Sequence, residues 1–360
     1  MKIVTVVGAR PQFIKASVVS HAIRDHYADQ IDEVLLHTGQ HFDTNMSAVF
    51  FDELDIPEPQ YNLGISGGSH PSMTARMMAG IESVLLAERP DRVLVYGDTN
   101  STLAAALTAV QLKIPVSHVE AGVRSFRTDM PEEVNRLVTD RVSTQLFCPS
   151  STAVANLAAE GIRSGVVNSG DVTCDLLARF TQTARSRSKI LEQQNLDRGC
   201  YALVTCHRAE NTDDPVRLQC IMQTVRRIAT DMPVVLPLHP RVKKMALELD
   251  LLTPHKGLAL LDPLPFLDMI TLEENAQVII TDSGGVQKEA FWFSVPCITL
   301  RDETEWVETV ELGANCLTGV SEAKILHAVH LATSAPRRVV GAAPYGKGNA
   351  SEAIAVHLAA

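Results

Sequence analysis

Short runs of hydrophobic, mostly β-branched residues alternate along this chain with longer stretches that have helical spacing. In the first half, these runs predict strands at Ile3–Val7, Val34–Thr38, Val93–Tyr96, Val116–Val119 and Gln145–Cys148. In the second half, they predict strands at Ala202–Cys206, Val234–Leu238, Leu258–Leu261, Val278–Thr281 and Cys297–Leu300. Strands that alternate with helices favour parallel sheets with right-handed crossovers. The pattern therefore predicts an α/β protein whose strand-helix series runs twice.

A polar stretch separates the two series. From Thr181 to Arg198, Ser, Arg, Lys and Gln replace the core pattern, which indicates an exposed helix or connector after a domain boundary near Asp171. A last helix is expected over 349–360, because a Gly/Pro-rich turn through Gly341 and Pro344 precedes it.

Composition narrows the class of protein. With 360 residues, 46% hydrophobic and 21% charged, the chain is long enough for two globular domains with separate cores. No apolar run approaches the roughly 18 residues needed to span a bilayer. Met1 leads directly into a predicted strand, so we expect no signal peptide and a cytoplasmic protein. The net charge of -10 argues against a general nucleic-acid binder.

The seven cysteines show no close paired spacing of the zinc or redox kind, so we expect no metal site and mostly buried thiols. Cys206 beside His207 invites interpretation as a nucleophile with its base. Adjacent side chains on a strand face opposite ways, however, which argues against that pairing.

Carboxylates follow two of the predicted strands. Asp98 lies just after Val93–Tyr96, and Glu120 lies just after Val116–Val119. Ligands of open α/β sheets bind at the carboxyl ends of parallel strands, so both acids are expected at a binding edge. A third acidic signal, Pro131-Glu132-Glu133, comes soon afterwards. Converging acids favour proton transfer, because burial and like charges separate their pKa values. The alternative is that Asp98 and Glu120 only cap the helices that follow.

The amino-terminal turn carries an anion-binding signal. Gly8 follows the first strand, Pro11 suits the first turn of a helix, and Arg10 and Lys15 place cations near the start of that helix. Cations there oppose the helix dipole, which suggests that they serve a ligand.

A second anion-binding signal runs from Thr281 to Glu289. Ser283, Gly284 and Gly285 stand between a strand and a helix and could hold a diphosphate, while Glu289 is placed for a sugar hydroxyl. In both segments, the glycines could instead serve only close packing of helix on sheet. Neither segment is the dinucleotide fingerprint or a Walker loop, so a nicotinamide enzyme or an NTPase is not expected.

Eight ordered motifs spread over nearly the whole chain make it resemble the non-hydrolysing UDP-N-acetylglucosamine 2-epimerase family. The motifs are Gly8-Ala9-Arg10-Pro11, His37-Thr38-Gly39-Gln40-His41, Tyr96-Gly97-Asp98-Thr99, His118-Val119-Glu120-Ala121-Gly122, Pro131-Glu132-Glu133, Cys206-His207-Arg208 with Glu210-Asn211, Pro237-Leu238-His239-Pro240 and Thr281-Asp282-Ser283-Gly284-Gly285.

The resemblance implies a glycosyltransferase-B-like fold: two facing Rossmann-like domains with the active site in the interdomain cleft. It places residues 1–170 plus 349–360 in an N-terminal acid/base domain and residues 171–348 in a C-terminal UDP-binding domain. The implied reaction inverts C2 of a UDP-2-acetamido sugar by anti elimination of UDP to a 2-acetamidoglycal and re-addition. No redox cofactor is implied, and the partner expectations are a UDP-sugar and a second copy in a homodimer. The expected context is nucleotide-sugar metabolism for surface polysaccharide biosynthesis.

The resemblance also implies a role for each candidate residue. The acid/base candidates are Asp98, Glu120 and Glu132. The groups expected to bind or stabilise the diphosphate are Arg10, Lys15, His207, Ser283, Gly284 and Gly285, with Glu289 on the ribose. His207 could instead be a hydrogen-bonded core histidine, and His239 is ambiguous. His41 and His118 are expected to be structural or to support the site from behind.

The interval from Gly122 to Pro131 is shorter than the corresponding segment of the UDP-N-acetylglucosamine enzymes. It resembles the branch that acts on UDP-2,3-diacetamido-2,3-dideoxy-glucuronate, as does the segment Arg301–Glu308. Arg124 and Arg127 could meet a C6 carboxylate, or they could be solvated loop residues. UDP-N-acetylglucosamine is the alternative substrate. A UDP-sugar glycosyltransferase or a non-catalytic binding protein are the alternative classes, although both leave the acids unexplained.

Overall fold

The computed structural model describes residues 1–40, 58–334 and 341–360. These residues form two compact units: Met1–Leu176 with Ala343–Ala360, and Leu177–Ala342. The sequence-based domain limits, 1–170 with 349–360 and 171–348, stay predictions.

The first unit is built on a parallel sheet with the strand order β3-β2-β1-β4-β5-β6-β7. Its strands are β1 Lys2–Val7, β2 Asp32–His37, β3 Tyr61–Asn62, β4 Arg92–Tyr96, β5 Val116–Val119, β6 Gln145–Cys148 and β7 Val166–Asn168. Its helices are α1 Arg10–His26, α2 His70–Glu88, α3 Asn100–Gln111, α4 Pro131–Val142, α5 Ser151–Ala159 and the start of α6 Val172–Arg187, with the last helix at Ala350–Ala359.

The second unit has a parallel sheet with the strand order β10-β9-β8-β11-β12-β13. Its strands are β8 Ala202–Thr205, β9 Val234–Pro237, β10 Leu258–Leu261, β11 Val278–Thr281, β12 Cys297–Thr299 and β13 Asn315–Leu317. Its helices, after the end of α6, are α7 Ile190–Gln193, α8 Ala209–Thr212, α9 Pro215–Ile228, α10 Pro240–Glu248, α11 Phe266–Asn275, α12 Gly284–Trp292, α13 Val307–Glu311 and α14 Glu322–Ser334.

All ten strands predicted from hydrophobic runs are confirmed, and the polar stretch after residue 181 does begin as helix. The sequence missed β3, β7 and β13, which have two or three residues each and lie at sheet edges. These three strands are short and partly exposed, so they contain no apolar run long enough to detect, whereas the edge strand β10 is the apolar run Leu258–Leu261 and was predicted.

The strand order explains why two regions of the chain can form binding edges. In the first sheet, β1 lies between β2 and β4, and β4 lies beside β5, so the segments after β1, β4 and β5 emerge next to one another. In the second sheet, β8 has β9 on one side and β11 on the other. Such reversals of strand order are where α/β proteins bind ligands. Within the described ranges, the helices are all too short or too polar to cross a membrane.

Candidate active site

The two predicted acids stand directly beyond neighbouring strands of the first sheet. Asp98 follows β4 after one glycine, and Glu120 follows β5 immediately. Glu120 has φ +73°, in the left-handed region that non-glycine residues rarely adopt. Such a conformation costs on the order of 1–3 kcal/mol and persists where surrounding contacts enforce it, often at functional sites.

Lys15 forms an ion pair with Glu120. The ammonium, on the second turn of α1, donates to Oε1 at 2.8 Å and to Oε2 at 2.7 Å. The two side chains are only 18% and 10% exposed, so solvent screens the pair weakly. The alternative that Glu120 merely caps a helix does not match this geometry.

Asp98 is held by α4. The guanidinium of Arg136 approaches Oδ2 of Asp98 through Nε at 3.2 Å and Nη2 at 3.1 Å. The amide of Asn135 donates to the backbone carbonyl of Asp98 at 2.8 Å. The Asp98 side chain remains 33% exposed. Thr99, and not Asp98, supplies the cap of α3, so capping does not explain Asp98 either.

The adjacent glutamates of α4 have opposite surroundings. Glu132 is exposed, whereas Glu133 is buried. Glu133 accepts hydrogen bonds from the backbone N–H groups of Ser125 and Phe126 at 2.9 Å, and it pairs with Arg136 at 2.8 Å. The network that reaches Asp98 therefore contains Glu133, which sequence reasoning passed over in favour of its neighbour.

A buried charge network lies behind the two acids. His118 approaches Oδ1 of Asp140 through Nδ1 and the carbonyl of Gly97 through Nε2, both at 2.7 Å. The imidazole therefore lies between a carboxylate and a backbone carbonyl, both of which accept hydrogen bonds. Burial alone would raise the pKa of Asp140, but the hydrogen bond from His118 and the charges of His118 and Arg124 lower it. The network fixes the carbonyl that precedes Asp98 and, through a 3.0 Å bond to the N–H of Gly122, the segment after Glu120.

The two arginines expected at a substrate carboxylate have different surroundings. Arg124 is buried and already pairs with Asp140 at 2.7 Å and with both oxygens of Glu160 at 2.7 and 2.8 Å. Its guanidinium is therefore already engaged by two carboxylates of the first unit, and its contact with a substrate carboxylate stays a prediction. Arg127 is 35% exposed and pairs with exposed Asp129 at 2.8 Å. A surface pair of this kind is weak enough to be exchanged for a ligand.

In the amino-terminal turn, a side chain of the protein already satisfies backbone N–H groups that the sequence suggested for an anion. The side chain of Gln12 accepts hydrogen bonds from the N–H groups of Gly8 and Ala9 at 2.9 and 3.0 Å. Its amide also donates to the carbonyl of Tyr96 at 2.8 Å, which ties the turn to the end of β4. Those N–H groups are thus satisfied within the protein, Lys15 pairs with Glu120, and the Arg10 side chain is partly exposed.

In the second unit, Asp282 organises the segment after β8. Its carboxylate is buried and accepts hydrogen bonds from the backbone N–H of His207 at 3.1 Å, that of Arg208 at 3.0 Å and the amide of Asn211 at 3.0 Å. Nδ1 of His207 lies 3.4 Å from the same carboxylate, yet the imidazole is 42% exposed. His207 is therefore not the core histidine of the alternative interpretation. The ring of His239 lies 5.8 Å from that of His207.

The glycine turn before α12 combines packing with open space. Ser283 caps the helix by accepting the N–H of Val286 at 3.5 Å. A Cβ on Gly284 would lie 2.6 Å from Glu305 and 2.9 Å from Trp306, so packing requires glycine there. A Cβ on Gly285 would meet only the hydroxyl of Ser283, at 3.8 Å, so this side of the helix start is open to a ligand. Glu289, on the next turn, is partly exposed.

Charged residues that the sequence did not single out brace this turn. Glu305 contacts Arg208 at 3.3 Å and Arg301 at 2.8 Å, and so joins the segment after β8 to the segment after β12. The ammonium of Lys288 lies 3.8 Å over the ring of Trp306. Only the proximity of basic and acidic residues within Arg301–Glu308 could have indicated part of this arrangement.

Two further sequence-based interpretations can be placed. Burial, and then the nearby charge of Asp282, raises the pKa of the Cys206 thiol well above its usual range. A buried, protonated thiol is a poor nucleophile, so that interpretation is wrong. His41 lies outside the described residues, and His118 has the supporting position expected for it.

Comparisons with known proteins agree with this geometry. Residues 24–359 match the family described as UDP-N-acetylglucosamine 2-epimerase. The chain is 49% identical to the UDP-2,3-diacetamido-2,3-dideoxy-D-glucuronate 2-epimerase of Pseudomonas aeruginosa, over 100% of this chain and 99% of that protein.

Solved structures give the same result. The UDP-GlcNAc 2-epimerase of Methanocaldococcus jannaschii, in complex with UDP-GlcNAc and UDP, is 42% identical, with 99% of each chain covered and a TM-score of 0.93. The enzyme of Neisseria meningitidis, bound to UDP-GlcNAc, is 31% identical, with 99% of each chain covered and a TM-score of 0.91. The predicted α/β class with two Rossmann-like sheets is confirmed, and the chain belongs to the UDP-N-acetylglucosamine 2-epimerase family.

Proposed function

We propose that this epimerase inverts C2 of a UDP-2-acetamido sugar by eliminating UDP to a 2-acetamidoglycal and adding it back. The observation that best supports the proposal is the placement of Asp98 and Glu120 beyond adjacent strands, each held by its own cation. Two fixed carboxylates at one ligand-binding edge suit a reaction that removes a proton from one face of a sugar and returns one to the other.

In the first half of the proposed reaction, a carboxylate takes the C2 proton. The electrons of the C–H bond form the C1–C2 double bond, and the electrons of the breaking C1–O bond leave on the diphosphate of UDP. In the second half, the diphosphate oxygen adds to C1, and C2 takes a proton from an acid on the opposite face. We assign these proton transfers to Asp98 and Glu120, with Glu132 as the third candidate.

Binding of the diphosphate is assigned to residues of the second unit. His207, Ser283, Gly284 and Gly285 would hold it, because the exposed imidazole offers a hydrogen-bonding ring and the N-terminus of α12 favours negative charge. In the first unit, Arg10 is the cation assigned to an anionic group of the substrate. Lys15 would act mainly on Glu120, whose carboxylate it contacts through both oxygens, and Glu289 would hold the ribose.

The mechanism is tested by turnover in heavy water, where the epimerised UDP-sugar should gain deuterium at C2. Asp98→Asn and Glu120→Gln should each lower kcat by roughly 10² or more, the scale of lost acid/base catalysis. Asp91→Asn is a matched control, because Asp91 accepts the N–H of Lys2 where β1 and β4 begin, at the opposite ends of the strands from Asp98 and Glu120. Hydrogen retained at C2 of the product would exclude elimination. Near-normal kcat for both variants would show that neither Asp98 nor Glu120 transfers the C2 proton.

For the substrate, we propose UDP-2,3-diacetamido-2,3-dideoxy-glucuronate, because the 49% identical P. aeruginosa relative bears that name. The neutral alternative is UDP-N-acetylglucosamine, the substrate named for the M. jannaschii relative at 42% identity. Arg127, with its weak surface partner Asp129, is the residue that would bind the C6 carboxylate.

This substrate proposal predicts a selective defect. Arg127→Met should lower kcat/KM on the uronate by an amount equivalent to roughly 1.5 to 3 kcal/mol, the scale of a hydrogen bond to a charged group. It should change kcat/KM on a neutral sugar little. Arg141→Met, on the exposed end of α4, serves as the control. Equal turnover of both sugars, with no effect of Arg127→Met, would refute the uronate assignment and leave the epimerase assignment intact.

We also propose that the protein works as a cytoplasmic homodimer that supplies surface polysaccharide biosynthesis. The support is the family resemblance. Light scattering on the purified protein would give a mass near twice 39.2 kDa for a dimer. A mass near that of one chain at working concentrations would rule the dimer out.

A further inference from the structure

The guanidinium of Arg136 stands between two carboxylates of the first unit. Its side chain is only 3% exposed, and it contacts Asp98 on one side and Glu133 on the other. Two carboxylates around one buried cation need further donors if neither is to be left unsatisfied. Glu133 obtains them from the backbone N–H groups of Ser125 and Phe126 and from the hydroxyl of Ser125, each at 2.9 Å.

Helix α4 brings these groups together through its own periodicity. Met130 precedes the helix, Pro131 opens it, and Glu133 occupies its third position, where the helix dipole favours a negative charge. Arg136 follows at i+3, so it projects from the same face as Glu133. Nη1 of Arg136 lies 2.8 Å from Oε2 of Glu133, so the pair forms within one helix.

Consecutive residues of this helix then hold both ends of Asp98. Asn135 donates to the Asp98 carbonyl at 2.8 Å, and Arg136 donates to Oδ2 of the carboxylate at 3.2 Å. A guanidinium presents its donors in one fixed plane, so this contact orients a carboxylate in a way that an ammonium does not. The rigid body of α4 therefore sets the position of Asp98.

We propose that Arg136, itself fixed by Glu133, is the positioning residue that orients Asp98 for proton transfer at C2. This inference rests on the proposed function, because it gives Asp98 an acid/base role. Through Glu133 and the N–H of Phe126, the same helix also fixes the turn that carries Arg127. One helical face thus sets both the reacting carboxylate and the residue assigned to substrate choice.

The experiment is a double-mutant cycle on the full-length enzyme, with kcat and KM measured for wild type, Arg136→Met, Asp98→Asn and the double variant. We expect Arg136→Met to lower kcat by ~10², the effect of misplacing a catalytic group by about 1 Å. In the Asp98→Asn background, the same substitution should change kcat less than ~3-fold, because there is no carboxylate left to orient. A residue with only a structural role would cause the same loss in both backgrounds.

Arg136→Lys keeps the charge and removes the planar fork, so it should also be slow. Full activity of Arg136→Lys would overturn the orienting role. If Arg136→Met does not fold, Glu133→Gln replaces it in the double-mutant cycle, because it keeps the shape of the side chain and removes the charge that fixes Arg136. Arg92→Met is the matched control, because Arg92 is also a partly buried arginine whose Nη1 donates to a side chain, that of Ser117, at 3.0 Å. Arg92 is the first residue of β4 and so lies at the opposite end of that strand from Asp98. It should keep wild-type kcat.

The outcomes separate this inference from the function on which it rests. A wild-type protein that turns over none of the UDP-sugars would reject the proposed function itself. An active wild type with equal losses from Arg136→Met in both backgrounds would overturn the positioning role alone. An active wild type with an unimpaired Asp98→Asn variant would also overturn it, because Asp98 would then have no step to be oriented for.

Discussion

Replacement of Asp140 by Asn should destabilise the first unit strongly. Asp140 is buried, and its two oxygens accept from His118, the N–H of Gly122 and Arg124. An amide keeps the shape of the side chain but loses the charge and half of the acceptor capacity. Arg124, also buried, would keep the carboxylate of Glu160 and the carbonyl of Val123 as partners but would lose the charge of Asp140.

The expected magnitude follows from the burial of this pair. Removing one member of a buried ion pair typically costs 3–5 kcal/mol, because the other charge stays in a poorly solvated site. Glu160 compensates Arg124 in part, so we expect a loss of about 3 kcal/mol in the free energy of unfolding. Asp129→Asn is the matched control: Asp129 also pairs with an arginine in this unit, but it is exposed, and its loss should not shift the unfolding midpoint measurably.

The assay must report on the correct unit. Both tryptophans, Trp292 and Trp306, lie in the second unit, so their fluorescence does not follow the first directly. Urea unfolding should therefore be followed by far-UV circular dichroism, with hydrogen exchange of segment 116–142 as a local probe. An Asp140→Asn midpoint equal to that of Asp129→Asn, with unchanged exchange, would refute the reasoning about the buried network.

The same network predicts the sign of a pH effect. The pKa of Asp140 is lower in the folded protein, so its carboxylate adds stability that is fully present above its unfolded pKa of about 3.9. That stability is lost as the pH falls through the folded-state pKa. The difference between wild type and Asp140→Asn should therefore be largest near neutral pH and should shrink in acid. A difference that stays constant down to pH 3 would contradict this linkage.

Two further substitutions test the second unit. Gly284→Ala should lower the free energy of unfolding by about 1–3 kcal/mol, because its Cβ would lie 2.6 Å from Glu305, whereas Gly285→Ala should be neutral or slightly stabilising. Urea unfolding followed by tryptophan fluorescence compares the two variants directly. Equal unfolding midpoints would contradict the packing argument. Cys206→Ala should keep kcat within a few-fold of wild type, since a buried protonated thiol takes no part in the reaction, and a large loss with unchanged stability would restore the nucleophile interpretation.

The sequence predicted those parts of the fold that depend on local pattern. Most interior strands are rich in Val, Ile and Leu, so a short window detects them. The edge strands β3, β7 and β13 escaped because half of each faces solvent. Asp98 and Glu120 were located because the ends of parallel strands mark a binding edge in any open α/β sheet.

The partners of those acids could not be predicted, because they come from distant parts of the chain. Lys15 lies 105 residues from Glu120, and Arg136 lies 38 residues from Asp98. The choice between Glu132 and Glu133 was also closed to sequence reasoning. Arg136 lies at i+4 from Glu132 and at i+3 from Glu133, so helical spacing pairs it equally well with either glutamate.

The different support of the two acids has a consequence for the proposed chemistry. Glu120 meets an ammonium with both oxygens and is 10% exposed, whereas Asp98 meets the edge of a guanidinium at one oxygen and is 33% exposed. A proton can be exchanged with a sugar only by a carboxylate that the sugar can reach. Access therefore favours Asp98 as the group that first meets C2, and Glu120 would need Lys15 to shift before it could act. Elimination and re-addition on opposite faces use one group that takes a proton and a second that returns one, and Asp98 and Glu120 are two carboxylates with different cation contacts and different exposure.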